Sequence, residues 1–425
     1  AMQLLDLITI FIFALGIVIM GLSFSGKGRN MKSFFAAGGA VPWAMSGLSL
    51  FMGFFSAGTF VVWGSIAYSL GWIAISIQWT MAIAGFVVGF FIAPRWHKTS
   101  ALTVAEYITR RLGVNTQKTY TYLFLFISLF TTGSFLYPVA KIVEVSTGMP
   151  LDLCILLLGG FCIVYVAAGG LWAVVSTDVL QFIILTAAVL IVVPLSFGRV
   201  GGVVNFIESI PATYFNLVNG EYTIGFIIAF GVYNAIFLGG NWAYVQRYAS
   251  VNSQSSARKV GFLFGGLYVV SAVLWMLPPM IYRIVNPSLS TIDAEGAYLM
   301  MCKEVLPAGL LGLMLSGMVF ATASSLNATL NISSGVVTND IFKRLFPQSS
   351  DKTLMRVARI STIIFGLLAI IVALLIPLMG GIVNVVISVA ALTGVPLYLP
   401  IIWTLFSKRQ TEYSVITTTL VSLGA

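Results

Sequence analysis

Long apolar runs, separated by short polar segments, fill almost the whole chain. A helix needs about 20 apolar residues to cross a bilayer. Eleven stretches reach that length: 4–23, 42–67, 72–94, 119–145, 151–168, 173–197, 223–247, 259–284, 307–335, 357–378 and 380–406. A twelfth begins near 412 and is partial at Ala425. The pattern predicts an all-α polytopic membrane protein. "TVAEYITRRLG", Thr103 to Gly113, is too polar to span and reads as a short amphipathic helix at one face. The polar segment from Asn286 to Pro307 reads as a loop with a short helical cap. The first run lacks a basic n-region and a small-residue cleavage site, so it reads as a retained helix rather than a signal peptide.

Composition agrees with the pattern. Hydrophobic residues make up 59% of the chain and charged residues 8%, against roughly 25% charged in soluble domains. The net charge of +9 is spread through short loops, so the expected partner is the lipid bilayer and not nucleic acid. Three cysteines, Cys154, Cys162 and Cys302, make no disulfide framework.

Loop charge sets an orientation. With loops numbered from the N-terminus, the odd loops and their flanks hold 18 of the 22 basic residues, including Arg247 at the end of the seventh span. The even loops hold Arg199, Arg283 and Lys303, and Lys141 lies inside a span. Basic loops stay in the cytoplasm. This places the N-terminus outside and the protein in the cell (inner or plasma) membrane. Spans 2–6 then start from the cytoplasm and spans 7–11 from outside, the layout of inverted-repeat transporters. The halves cover 42–197 and 223–406, after an extra N-terminal helix and loop (1–41) and before the start of a further helix (411–425).

In such a layout the first helix of each half is interrupted near mid-membrane. Span 2 carries "MGFFSAGTF", with Gly53 and Gly58 flanking Ser56; span 7 carries "FLGGNW", with Gly239, Gly240 and Asn241. Glycine weakens a helix, although it also serves close packing in membranes.

Inside span 9, "FATASSLNATLN" crowds six hydroxyl and amide side chains without a charge. Ala321, Ser324, Ser325 and Ala328 fall on one helical face. Two readings fit that face. One is a small-residue packing seam; the other is a site for a hard cation such as sodium, which favours neutral oxygens. Asp178, in "GGLWAVVSTDVLQ", is an acid in an apolar stretch. It reads either as part of an ion path or as an interfacial acid favoured by the helix dipole. Lys141 and Glu144 read as an outer-interface pair.

Several motifs carry no chemistry here. "GLSFSGKG", Gly21 to Gly28, lacks the Ser or Thr and the preceding strand of a phosphate loop. The sequons at Asn327 and Asn331 lie within a span. His97 reads as a solvated histidine in a basic loop. No nucleophile–base pair and no His/Cys cluster suggests an enzyme or a metal cofactor.

"AAGGLWAVVSTDVLQ", "ATASSLN", "TNDIFKRL", "LTVAEYITRRLG" and "VQRYAS" together resemble the solute:sodium symporter family, which includes sodium–galactose, sodium–proline and sodium–sialic acid transporters. The resemblance covers essentially the whole chain. It implies a LeuT-like 5+5 inverted-repeat core with one extra N-terminal helix. It also implies a functional monomer with no cofactor beyond sodium as coupling ion. One sodium is expected at the carbonyls of Met52, Phe55 and Ala321 and the oxygens of Ser324 and Ser325. Some members hold a second ion beside the matching aspartate, here Asp178; Asn327 and Ala328 stand where that site has serines, and Ala328 has no side-chain oxygen.

The substrate site implied by the resemblance is Ser56, Thr59, Gln78, Asn241 and the aromatic lid Phe237. The arginine expected for a carboxylate falls near Thr131, and the aspartate of proline transporters is replaced by Phe54. These features imply a small polar organic solute, foremost a sugar or sugar derivative. An amino acid or carboxylate (including sialic acid) symporter, or a proton-coupled transporter of the same fold, is the alternative. A channel or a sensor finds less support, since neither a continuous polar pore nor a signalling domain is visible.

Overall fold

The structure is a computed structural model that describes residues 4–23, 41–55, 59–101, 103–290, 293–379 and 393–424. The first loop with Lys27, Arg29 and Lys32, the glycine-rich stretch after Ser23, Ser56, Gly58, residues 380–392 and the side chain of Lys141 lie outside the described residues. All regular elements among those described are helical. Seven helices are long and apolar enough to cross a membrane, eight if a bent pair counts as one span.

The first element, α1 (Leu4–Ser23), has the length the apolar run predicts. The second predicted span is divided. α2 (Trp43–Met52) stops at Gly53, and the chain is helical again over Thr59–Trp63, leading into α3 (Gly64–Leu70). At the break the chain tightens into three-residue turns: Gly53 N–H donates to the Leu50 carbonyl at 3.3 Å and Phe54 N–H to Phe51 at 2.9 Å. α4 (Ile73–Lys98) and α6 (Val114–Thr147) flank the amphipathic α5 (Val104–Leu112). Thr103 caps α5 by accepting from Glu106 N–H, the expected N-terminal arrangement for a helix that begins Thr-x-x-Glu.

α7 (Leu151–Leu171) and α8 (Ala173–Arg199) follow each other without a loop. The chain turns at Gly170, where φ is 58° and ψ −140°, a conformation open to glycine and strained for other residues. The seventh predicted span is also broken. α9 (Ile224–Gly240) and α10 (Trp242–Ala249) meet at Asn241 with a bend of 60°. The two interruptions therefore fall where the glycine pairs predicted them.

The second half continues with α11 (Gln254–Val285), α12 (Ala297–Val305), α13 (Leu310–Leu345) and α14 (Asp351–Leu378). Then come α15 (Leu399–Thr404) and α16 (Glu412–Gly424). α12 is the expected cap, fastened to the end of α8 by Arg199 and Glu304 at 3.0 Å. Its Cys302 is buried in a helix instead of lying in a loop.

Burial singles out α13. Four-fifths of its span is inside the protein, 81%, against 39% for α8 and 44% for α14. The hydroxyl-rich span is thus the most buried of these spans, which removes its hydroxyls from lipid. α4 and α11 approach through glycines, since a methyl added at Gly261 would come within 2.3 Å of Gly89 Cα. Such contacts let backbones pack closely in a membrane, where there is little hydrophobic drive between helices.

Two positions differ from the sequence reading. His97 is half-buried, and its Nε2 lies 2.8 Å from the Val251 carbonyl. Arg247, counted above as a basic flank at the cytoplasmic end of the seventh span, is only 2% exposed. Both residues sit at span ends where local hydropathy drops, although folding covers them.

Candidate functional site

At the break in the second span, the N–H groups of Gly53, Phe54 and Phe55 bond three residues back instead of four. α13 crosses beside it. Ser325 Oγ donates to the Gly53 carbonyl at 2.8 Å. Ser324 turns the other way and donates to Asp178 Oδ1 on α8. The two hydroxyls that share one face in sequence thus bridge α13 to two different helices. In both cases the hydroxyl proton goes to an acceptor, and a hydroxyl oxygen also has lone pairs that can accept or ligate.

Met52 and Phe55 lie at the break and are buried, and Ala321 is fully buried on α13. The Met52 carbonyl already accepts from Phe55 N–H at 3.3 Å, and a carbonyl has a second lone pair to offer. Gly53 stands against Ser325: a methyl there would be 3.9 Å from Ser325 Oγ and 3.3 Å from the Leu50 carbonyl.

Asp178 is buried and fully engaged. Besides Ser324, Ser49 Oγ donates to Oδ2 at 2.6 Å. Arg247 Nε donates to Ser49 Oγ at 3.1 Å, and Arg247 acts electrostatically on Asp178. Arg247 also donates to Gln246 Oε1 at 3.1 Å, and Gln246 Nε2 donates to Asn331 Oδ1 at 2.6 Å. The chain of contacts leaves α13 at Ser324, passes α8, α2 and α10, and returns to α13 at Asn331. Every charge in it is paired, as burial in a membrane demands. Ser49, Arg247 and Gln246 were not singled out by the sequence. Arg247 carried a signal, a charge in "VQRYAS" counted as a basic flank at the end of the seventh span.

The break at Asn241 is the second focus. Asn241 Oδ1 accepts from Ala243 N–H at 3.0 Å and Tyr244 N–H at 3.4 Å, capping α10. Its amide nitrogen is left to point at the Tyr398 hydroxyl, 3.4 Å away. Phe237 lies one turn earlier, with ring centroids 6.2 Å from Tyr398 and 5.5 Å from Tyr244. Phe54 joins the same aromatic wall, 6.5 Å from Phe237 and 5.3 Å from Tyr244. Thr59 Oγ1 donates to the Phe54 carbonyl.

Four of the five expected substrate residues can therefore be placed. Asn241 and Phe237 meet at Tyr398, and Thr59 bonds the backbone of Phe54, whose ring stands against Phe237. Gln78 lies buried on α4 with Nε2 3.9 Å from Met276 Sδ. Its Oε1 has no hydrogen-bond partner among the described residues. Ser56 lies outside them.

A small cavity opens at the Asn241 break. Its polar lining is Ser128, Thr131, Asn241, Thr329 and Tyr398, with apolar residues such as Phe124 and Leu397 between them. Thr131 and Thr329 spend their protons on carbonyls of their own helices. No charged side chain is among the lining residues.

Interrupted helices, a hydroxyl-rich central helix and a buried polar mid-section define a membrane transporter core, not an enzyme site. The comparisons are specific. Residues 34–421 match the model described as the sodium:solute symporter family, and the chain belongs to that family. A sodium/glucose cotransporter of Vibrio parahaemolyticus is 28% identical over 419 residues, covering 89% of this chain and 76% of that protein. Sodium/glucose cotransporter 1 of Mus musculus is 25% identical, covering 96% and 68%. Sodium/myo-inositol cotransporter 2 of Homo sapiens is 27% identical, covering 86% and 60%.

Among solved structures, a sodium-coupled sialic acid symporter in a substrate-bound outward-open state aligns with a TM-score of 0.85 at 22% identity, covering 98% of this chain and 89% of that one. A nucleobase-cation-symport-1 family transporter in a closed conformation aligns at 0.58 and 16% identity, covering 87% and 79%. The fold is thus shared across separate cation-coupled families. The protein is an integral membrane symporter with sodium as its coupling ion.

Proposed function

We propose that the protein imports an uncharged, hydroxyl-bearing solute, a sugar or polyol, and that one sodium ion drives it from a site between the α2 break and α13. The observation that carries this reading is the Ser325–Gly53 contact, which joins the hydroxyl helix to the backbone where α2 ends. The sodium ligands are the carbonyls of Met52, Phe55 and Ala321 and the hydroxyls of Ser324 and Ser325. Neutral oxygens suit a small hard cation, and Asp178 adds a negative field through Ser324.

The solute binds beside the second break, against Asn241, Phe237, Thr59, Gln78 and Ser56. Asn241 offers N–H donors, since its oxygen is occupied, and Gln78 offers an unpartnered acceptor. A hydroxyl is both donor and acceptor and suits this set. The cavity at Thr131 lacks a cation for a carboxylate. The named relatives carry glucose and myo-inositol, in line with this choice.

Residues 42–197 and 223–406 form two inverted halves, with the N-terminus outside the cell or inner membrane, and the transporter works as a monomer. Sodium binds first, holds α2 against α13 and favours the outward-facing state. Rocking of the halves then exposes ion and solute to the cytoplasm. Sodium drives this only by binding one state better than the other. Ala328 has no side-chain oxygen for a second site beside Asp178, which favours one sodium per solute.

The test is thermal-shift screening of sugars, polyols, amino acids and carboxylates with and without sodium. Stabilisation by a polyol that requires sodium supports the reading. Stabilisation by a carboxylate alone, or by any solute equally without sodium, overturns it.

A further inference from the structure

The break between α9 and α10 leaves a specific debt of hydrogen bonds. The last carbonyls of α9 lose their helical partners at Asn241. Phe237 keeps its bond, accepting from Asn241 N–H at 3.0 Å. Leu238 and Gly239 do not have that option, because the chain turns by 60°.

Two aromatic donors serve these carbonyls. Trp96, near the end of α4, donates its indole N–H to the Gly239 carbonyl at 2.7 Å. Tyr248, two turns along α10, donates its hydroxyl to the Leu238 carbonyl at 2.7 Å. Trp96 is 2% exposed and Tyr248 is fully buried. Neither is interchangeable with lipid-facing aromatics such as Phe90 or Phe126, which are exposed.

The surroundings leave the break little freedom. A methyl at Gly239 would come within 2.9 Å of Ile92, and one at Gly240 within 2.6 Å of Tyr398 and 2.8 Å of Ile402. Trp96 is held from behind by Tyr107 on α5, with ring centroids 5.2 Å apart and edge-on. Tyr107 in turn bonds the Thr404 hydroxyl on α15 at 2.9 Å. The donors thus come from rigid, packed positions.

We infer that Trp96 and Tyr248 are positioning residues for solute binding: they fix the bend at Asn241, and through it the direction of the Asn241 amide and the Phe237 ring. This rests on the reading above that Asn241 and Phe237 face the solute. It extends that reading to a residue 143 positions away in sequence. Both bonds end on α9, while the sodium ligands lie on α2 and α13, so the sodium midpoint is the control for a selective effect on the solute.

The experiment uses Trp96→Phe and Tyr248→Phe, which keep a ring and remove the donor. Hydrogen exchange of the full protein is read over 238–248, with the α2 segment 43–52 as reference. Sodium titration midpoints come from thermal shift, and KM and Vmax from sodium-driven uptake of D-glucose and myo-inositol in proteoliposomes. The expected result is faster exchange confined to 238–248, a KM raised about tenfold, the loss of one buried hydrogen bond, Vmax changed less than about twofold, and an unchanged sodium midpoint. Unchanged exchange at the break overturns the inference. So does a sodium midpoint that moves as far as KM, which would mark a general loss of stability. If the unaltered protein carries neither sugar, the substrate reading fails, and exchange with the sodium midpoint still decides the positioning.

Discussion

The hydroxyl of Ser325 donates to the carbonyl of Gly53, 272 residues earlier, at 2.8 Å. That bond ties the buried α13 to the interrupted second span and places a side-chain oxygen against the backbone where α2 ends. Ser324, its neighbour, serves Asp178 instead. One residue pair therefore gathers three helices around one point.

Ser325→Ala removes a ligand and leaves the Gly53 carbonyl short of a donor. The expected outcome is loss of sodium-stimulated uptake, with folding weakened by about 1–3 kcal/mol. Uptake in reconstituted vesicles across a sodium series checks it, with the detergent melting temperature as control. Unaltered sodium dependence in this variant would rule out the site.

Arg247 and Asp178 are buried together, bridged by Ser49. Removing either charge alone strands the other in a dry interior, at about 3–5 kcal/mol. Arg247→Leu and Asp178→Asn are each expected to lower the melting temperature sharply. The double variant should recover part of the loss, since no lone charge remains. Additive losses would show that the two do not act as a pair.

The α4–α11 contact gives a test of packing alone. Gly261→Ala puts a methyl 2.3 Å from Gly89 Cα and 2.9 Å from the Gly85 carbonyl. Backbone must move, at a cost of about 1–3 kcal/mol. Gly266→Ala, with nothing within 4 Å of the added methyl, is expected to be neutral. Equal melting temperatures for the two would contradict the close approach.

A single sodium per solute predicts a sodium activation curve with a Hill coefficient near one. Counting charge against radiolabelled solute in the same vesicles gives the ratio directly. Two sodium ions per solute would place an ion where Asn327 and Ala328 now stand.

The sequence carried the helical class, both helix breaks and the hydroxyl-rich span for physical reasons. Glycine pairs weaken a helix locally, so "MGFFSAGTF" and "FLGGNW" marked both breaks. Hydroxyls inside an apolar run are conspicuous, so Ser324 and Ser325 were visible. The burial of Arg247 was not visible because hydropathy is a local average, while its partners Ser49 and Asp178 lie 198 and 69 residues away. Trp96 was silent for a similar reason: an aromatic near a span end usually marks the interface. Only the fold brings its indole to the Gly239 carbonyl.

The most direct measurement of the central claim is uptake of D-glucose and myo-inositol into proteoliposomes under an inward sodium gradient. Accumulation above the external concentration, collapsing when potassium replaces sodium and absent in Ser325→Ala, is the predicted result. Equal uptake without sodium, or accumulation driven by a pH gradient in sodium-free buffer, would contradict it.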